Sequence, residues 1–181
     1  FVGEAKIRSP YEVEVNGQVL TSKNIVVATG ARPMVPPIEG LDKVDVLTSD
    51  NLWDLREQPK KLLVLGGGPI GCELAQSFAR LGSEVTMVER NDRIMAREDQ
   101  DVSETIAARF QKEGVRLLTS HSAVRFSDSH TLVCTHNGQE VSVNFDKVLF
   151  ALGRKANVTG FGLEELGVEL SDRGTIVADE L

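Results

Sequence analysis

A glycine-rich hexapeptide and an acid that follows it are the residues whose types and spacing point to chemistry. Glu89 lies 18 residues after the hexapeptide, beyond a second apolar run. Unpaired N–H groups at the start of a helix bind phosphate, and an acid after the next strand binds ribose hydroxyls. The spacing predicts a dinucleotide site, and the alternative is a glycine-rich turn without a ligand. The pattern G-x-G-x-x-G is matched by Gly66, Gly67, Gly68, Pro69, Ile70 and Gly71.

Each glycine of the pattern has its own expected task. Gly66 permits the tight turn after the strand, and Gly68 lets a diphosphate reach the backbone because it has no side chain. Gly71 allows the helix and the strand to pack closely. Pro69 suits the first helical turn, where its missing N–H costs nothing. We therefore expect a strand, this turn and a helix whose N-terminus faces the phosphates.

The charge of Glu89 selects among nucleotides. Its carboxylate can accept hydrogen bonds from ribose hydroxyls, whereas it would repel a 2′-phosphate by about 4 kcal/mol at about 4 Å and an effective dielectric of about 20. Arg90 and Arg93 follow closely, and they are either solvated loop charges or attractors of a 2′-phosphate. The sign at Glu89 predicts NAD(H) rather than NADP(H).

Alternating parallel strands and helices must position these residues. The helices should bury one face each and stop at Gly82 and Gly114. The expected elements are strand 61–65, helix 69–81, strand 84–89, helix 99–113 and strand 115–118. The faces expected to be buried are Ile70, Leu74, Phe78 and Leu81 on the first helix and Val102, Ile106 and Phe110 on the second.

Residues 123–144 change the pattern to short alternating runs separated by turn residues, including Asn137-Gly138. These runs predict an antiparallel meander, after which KVLFALGR returns as a buried strand. The order predicts an α/β fold, a Rossmann-like parallel sheet with helices and an inserted three-stranded antiparallel β-meander.

The flanking segments read as smaller elements. Residues 11–20 predict a hairpin around Asn16-Gly17, and residues 25–28 predict a buried strand that Gly30 stops. The proline-rich residues 34–40 predict a linker, and NLWDL predicts a short helix. TIVADEL, residues 175–181, predicts a strand that the chain end interrupts, so we expect a piece of a longer protein.

The composition excludes several classes of partner. A net charge of −7 argues against nucleic acid and anionic membranes, and no apolar run is long enough to span a bilayer. Two cysteines without metal-ligand spacing fit a reducing, cytoplasmic protein. We expect packed thiols at Cys72 and Cys134 and no metal site. The histidines, expected to be surface or structural residues, are His121, His130 and His136.

Three ordered segments resemble one family. VVATGARP, LGGGPIGCELAQSFARLGSEVTMVER and ALGRKAN occur in the order and spacing of the class I pyridine nucleotide-disulfide oxidoreductases. The glycine segment is most similar to members of the mercuric reductase and dihydrolipoamide dehydrogenase type. The resemblance implies a glutathione-reductase-like NAD domain, with FAD and NAD(H) as cofactors and a homodimeric flavoprotein as the whole protein.

The resemblance also implies roles for individual residues. Residues 66–73 line the NAD site, and Glu73 lies near the nicotinamide and the flavin, unless it only stabilises the helix start as an acid. Ala123 contacts adenosine, and Gly153 approaches the nicotinamide. Pro69 stands where several members carry an aromatic lid, so no lid is assigned. The residues expected near FAD are Ala28, Thr29 and Gly30.

The resemblance implies an interrupted FAD domain in residues 1–42 and 158–181, around an NAD domain in residues 43–157. In such a protein NADH would deliver a hydride to the flavin, and electrons would pass from the flavin to a disulfide or another acceptor. The resemblance also implies that the rest of the flavoprotein is the partner of this chain. No C-x4-C pair is present in this sequence, so no catalytic residue is assigned and the chain alone is expected to be inactive. The alternatives are a flavin-dependent transhydrogenase without a redox-active disulfide and a stand-alone NAD-binding module.

Overall fold

A computed structural model describes residues 1–179 of the chain. Two compact units divide it: residues 33–153 form the larger one, and residues 1–32 with the residues from 154 onward form the smaller one. The sequence predicts the divisions after residues 42 and 157. The assignment of the two units to NAD and FAD stays a prediction.

The chain forms two α-helices and a series of short strands. The helices are α1 (Pro69–Arg80) and α2 (Gln100–Lys112), and 3-10 turns span Leu41–Lys43 and Leu52–Asp54. In chain order the strands are β1 (Ala5–Ser9), β2 (Glu12–Val15), β3 (Gln18–Thr21), β4 (Ala31–Pro33), β5 (Val46–Leu47), β6 (Lys61–Leu65), β7 (Glu84–Val88), β8 (Arg116–Leu118), β9 (Ser122–Asp128), β10 (Thr131–His136), β11 (Gln139–Asn144), β12 (Lys147–Phe150) and β13 (Arg154–Ala156).

A five-stranded parallel sheet in the order β5-β12-β6-β7-β8 is the centre of the larger unit. Its strands alternate between two cores. Leu62 and Val64 pack with the helices, whereas Leu63 and Leu65 pack with the antiparallel meander β11-β10-β9. Both faces of the sheet are therefore covered, as parallel sheets require. The predicted α/β fold with an inserted meander is confirmed.

Small residues bring α1 close to the sheet. Its buried positions are Gly71, Cys72 and Ala75, while Leu74 and Phe78 are only partly buried against the core. Leu81, predicted to be buried, is 69% exposed. The prediction was wrong for Leu81 because the small side chains of α1 face the strands. The larger side chains therefore lie along the sides of the helix.

Helix α2 buries a serine where an aliphatic residue was expected. Phe110 is buried as predicted and Ile106 is partly buried, but Val102 is 40% exposed. Ser103 is buried instead, and its Oγ donates to the carbonyl of Ile94 at 2.7 Å. The hydrogen bond satisfies the buried hydroxyl, so a polar residue occupies the inner face at the helix start.

The predicted turns are present. Asn16-Gly17 and Asn137-Gly138 both have positive φ angles and join adjacent antiparallel strands. Gly82, with φ +104°, ends α1, and the N–H of Ser83 donates back to the carbonyl of Phe78. These are the positions where only glycine or asparagine adopts the backbone cheaply.

Two predicted strands do not form. Residues 25–28 are not part of any strand among residues 1–179, and Val26 is 88% exposed. Apolar content alone suggested a buried strand, which also needs neighbours for its N–H and C=O groups. In residues 175–179, only an isolated bridge joins Ile176 to Leu170. Glu180 and Leu181, the rest of that predicted strand, lie outside the described residues.

The proline-rich linker attaches to the meander. The N–H of Phe126 donates to the carbonyl of Glu39 at 2.8 Å, and Gly40 packs directly on the backbone of Phe126. This explains why the larger unit begins at residue 33 rather than after residue 42. Strand β5 was missed because it contains only two residues.

Candidate functional site

The candidate site lies at the carboxyl ends of β6, β7 and β12. From β6 the chain proceeds outward to β7 and β8, whereas β12 lies on the other side of β6. Open parallel sheets bind ligands at such a switch point, outside the carboxyl ends of the strands. The residues that directly follow these three strands are Gly66, Glu89 and Ala151.

Gly66 makes the tight turn that leaves β6. Its φ is +104°, and its N–H donates to the carbonyl of Val88 at 2.9 Å. A Cβ at this position would lie 2.5 Å from the carbonyl oxygen of Ala151. Both the backbone conformation and the neighbouring strand end therefore require glycine here.

Gly71 is where α1 approaches the turn most closely. An added Cβ would lie 2.0 Å from the carbonyl oxygen of Gly66 and 3.3 Å from the Cβ of Ala151. The first contact is with backbone, which cannot move aside as a flexible side chain can. The structure thus places Gly71 between the helix and the strand ends, where a side chain has no room.

Gly68, in contrast, faces open space. A Cβ added to it would meet no atom within 4 Å, and its backbone is extended with φ −78°. Pro69 is the first residue of the 12-residue helix α1, and no side chain caps that helix start. Among residues 1–179, the N–H groups of Gly68, Ile70 and Gly71 find no acceptor. A helix start with bare N–H groups attracts anions.

Glu89 holds the other side of the turn. It is 9% exposed, and its Oε2 accepts from the N–H of Gly67 at 2.7 Å. Its Oε1 accepts from the backbone N–H of Asn91 at 2.8 Å and from the Asn91 Nδ2 at 2.7 Å. Gly67 also packs against Ile94. The carboxylate is therefore fixed at both oxygens and links the glycine turn to the segment after β7.

Asn91 and Ile94 are contacts that the sequence reasoning missed. The G-x-G-x-x-G pattern marks only the acid, and neither residue has a fixed place in it. One signal was available for Asn91, since asparagine side chains often hydrogen-bond to groups within two residues.

The two arginines that follow Glu89 differ in their surroundings. Arg93 donates to the carbonyls of Ala96, Glu98 and Asp99 at 3.0 to 3.4 Å. Arg90 is exposed, and within the part of the chain that the structure describes it makes no ion pair or side-chain hydrogen bond. The Arg93 guanidinium thus supports the loop before α2, and that of Arg90 stays available to solvent or to a ligand.

Glu73 is exposed on α1, just past the first turn of the helix. It is the fifth residue of the helix, and the first turn contains no acid. It borders a cavity of about 340 Å³ between α1 and α2, to which Cys72, Met95 and Phe110 also contribute. The alternative prediction, that Glu73 is an acid that only stabilises the helix start, is therefore wrong, because the first turn does not contain this residue's side chain.

Ala123 and Gly153 lie at the two ends of the segment that contains the meander. Ala123 is half-buried in β9, opposite Cys134 of β10. Gly153 has φ +121°, and its carbonyl accepts from the N–H of Met34 at 2.9 Å. The loop before β9 is tied to the Glu89 segment, since the N–H of His121 donates to the Glu89 carbonyl at 3.0 Å.

Ala28, Thr29 and Gly30 belong to the smaller unit and are exposed. Thr29 Oγ1 donates to the carbonyl of Asn157 at 2.6 Å, and Asn157 Nδ2 donates to the carbonyl of Thr29 at 3.0 Å. These hydrogen bonds hold residues 28–30 to Asn157, although residues 28–30 are not part of a strand.

Both thiols are buried, and two of the imidazoles stack on each other. Burial raises the pKa of Cys72 and of Cys134 to about 11, and the carboxylates of Glu89 and Glu73 add to the effect at Cys72. His121 and His136 stack with ring centroids 4.2 Å apart, and the Nδ1 of each lies within 3.0 Å of a loop carbonyl. Over residues 1–179 there is no group of three metal-ligating side chains, and no helix in that range is long and apolar enough to cross a membrane.

Known proteins resemble this chain along its whole length. The family described as "Pyridine nucleotide-disulphide oxidoreductase" matches residues 1–181. A mercuric reductase from Bacillus cereus is 39% identical over 98% of this chain and 29% of its own length. A dihydrolipoyl dehydrogenase from Acholeplasma laidlawii is 37% identical over 99% of this chain and 54% of its own length.

A solved structure shares the architecture. It is the HOCl-induced flavoprotein disulfide reductase RclA from Escherichia coli, with a TM-score of 0.83 and 30% sequence identity. The match covers 98% of this chain and 41% of that protein. The chain thus spans between about a third and about a half of the curated relatives it matches.

Proposed function

Because this chain belongs to the pyridine nucleotide-disulphide oxidoreductase family, we propose that its larger unit binds NAD(H). The observation that carries the proposal is the open position at Gly68, beside three N–H groups without acceptors. A diphosphate supplies the anionic acceptors that these groups need. The residues that would hold it are those of the glycine turn, Gly66, Gly67, Gly68, Pro69, Ile70 and Gly71.

The adenosine half of the nucleotide would lie toward Glu89 and Ala123. The Glu89 carboxylate makes no ion pair with residues 1–179, so its negative charge is not neutralised by a neighbour. A ribose with two free hydroxyls donates to such a carboxylate, whereas a 2′-phosphate is repelled by it. This supports NAD(H) over NADP(H), with Arg90 as the available positive charge that partly offsets the preference.

We propose that the whole protein is a flavoprotein in which the exposed segment 28–30 contacts FAD. In that protein, NADH would supply a hydride to FAD, and the electrons would then pass to a disulfide or another acceptor. The contribution of this chain is to bind and orient the nucleotide, with Glu73 and Gly153 toward its nicotinamide half. The two buried thiols fit a cytoplasmic protein, and we propose a homodimer on the family resemblance.

The proposal is tested by calorimetric titration of the purified chain with NADH, NADPH and ADP-ribose. ADP-ribose keeps the diphosphate and the adenosine but lacks the nicotinamide. We expect NADH and ADP-ribose to bind at one site and NADPH to bind more weakly. Absence of binding by both NADH and ADP-ribose would overturn the site, and tighter binding of NADPH would overturn the choice of nucleotide.

A further inference from the structure

We infer that Asn91 is a positioning residue that fixes the Glu89 carboxylate and so sets the choice between a 2′-hydroxyl and a 2′-phosphate. The inference rests on the proposed NAD(H) site. Asn91 lies two residues after the acid, outside the glycine pattern.

The hydrogen bonds to Glu89 show what Asn91 adds. Oε2 is held by the N–H of Gly67, whose own carbonyl accepts from Met95 at 2.7 Å. Oε1 is held by the Asn91 backbone N–H and by its Nδ2. A carboxylate has about four acceptor positions, so these three bonds leave room for about one further donor. The direction left open for a ribose hydroxyl is therefore set partly by the Asn91 amide.

The burial of the Glu89 carboxylate also requires these donors. The side chain is almost buried, and a buried carboxylate is tolerated only with hydrogen bonds or a counter-ion. In the described part of the chain its side-chain oxygens meet only neutral N–H groups, with no cation in salt-bridge range. The Asn91 amide is thus one of the three donors that compensate for burying a carboxylate at the position that a 2′-phosphate would approach.

Substitution of Asn91 should leave the fold intact. The residue is exposed, so truncation of its side chain creates no cavity. Its backbone carbonyl, which accepts from Ser120 at 2.7 Å, is retained in any variant. An effect on nucleotide choice can then be separated from an effect on stability.

The experiment compares the wild-type chain with Asn91→Ala and Asn91→Asp, and with Asp92→Ala as a neighbouring exposed control. Calorimetry gives the dissociation constants for NADH and NADPH, and thermal unfolding reports stability. Asn91→Ala removes one donor to a charged group, so NADH affinity should fall by about 10-fold while NADPH affinity stays within about twofold. Asn91→Asp keeps the shape but replaces the donor by an acid, so its loss of NADH affinity should be at least as large.

The outcomes distinguish this inference from the proposed function. Wild-type binding of NADH with an unchanged NADH-to-NADPH ratio in both Asn91 variants overturns the role of Asn91 and leaves the site standing. Equal weakening of both nucleotides, with a lowered unfolding temperature, overturns it also, since that is the signature of a structural role. A wild-type chain that binds neither nucleotide overturns the proposed function and this inference together.

Discussion

Replacement of Gly68 by valine separates nucleotide binding from folding at this site. The Gly68 backbone is extended, a conformation that any residue adopts, and a new Cβ would enter open space. Gly68 is half-buried and precedes the first helical residue, a position where valine is less favoured than glycine, so the free energy of unfolding should fall by about 1 kcal/mol or less. The side chain would instead occupy the space beside the bare N–H groups, where we propose that the diphosphate binds.

The expected loss of affinity follows from the hydrogen bonds that valine would block. A hydrogen bond to a charged group contributes about 1.5–3 kcal/mol. Loss of one such bond corresponds to a decrease in NADH affinity of about 10- to 150-fold. Gly68→Ala has a smaller side chain at the same position and should lose less affinity than Gly68→Val.

Gly71→Ala is the matched contrast, since the same added Cβ would meet a backbone oxygen at 2.0 Å. Overpacking against backbone costs about 1–3 kcal/mol, which lowers the unfolding temperature of a chain of this size by about 2–12 °C. The assay is calorimetric titration with NADH, paired with thermal unfolding of each variant. Wild-type NADH affinity in Gly68→Val would refute the reasoning, as would unfolding of that variant at a temperature as low as that of Gly71→Ala.

Three other groups give measurable expectations. Glu89→Gln removes the charge and turns an amide N–H₂ toward donors, so the ratio of NADH to NADPH affinity should fall in calorimetric titrations; an unchanged ratio would argue against the charge as selector. Because burial raises the pKa of Cys72 and Cys134 to about 11, only about a thousandth of each is thiolate at about pH 8. Iodoacetamide should then label both in urea but neither in the folded chain, by mass spectrometry, and rapid native labelling would contradict their burial. Hydrogen bonds from Arg80, and then from Gln76 and Arg109, lower the pKa of Glu113 from 4.5 to about 2. The stability that this acid contributes is present above pH 4.5 and is lost as the pH falls toward 2, so Glu113→Gln should weaken the pH dependence of thermal unfolding in that range; an equal dependence would contradict it.

The parallel sheet and the meander could be predicted because their signals are local. Apolar runs bounded by glycines mark β6 and β7, and Asn137-Gly138 marks the turn between β10 and β11. The same local patterns failed where packing decides. Leu81 has the right period for a buried face, but Gly71 and Ala75 bring α1 so close to the sheet that the larger residue stays outside.

Hydrogen-bond partners were harder to foresee than elements. The pattern indicated that Glu89 matters, but it did not reveal that the carboxylate already holds Gly67 and Asn91. Nor could the pattern predict that Arg93, unlike Arg90, donates hydrogen bonds to loop carbonyls. Those bonds depend on the course of the loop before α2. The unpaired residues 25–28 show the same limit, since an apolar run does not specify which strand will pair with it.

The central claim is that the N–H groups at the start of α1 receive a diphosphate. An NMR titration of the ¹⁵N-labelled chain with NADH observes those N–H groups directly. We expect the amide resonances of Gly68, Ile70 and Gly71 to move together and to saturate, and ADP-ribose should reproduce the shifts. Saturable NADH binding that leaves these three resonances in place would contradict the claim.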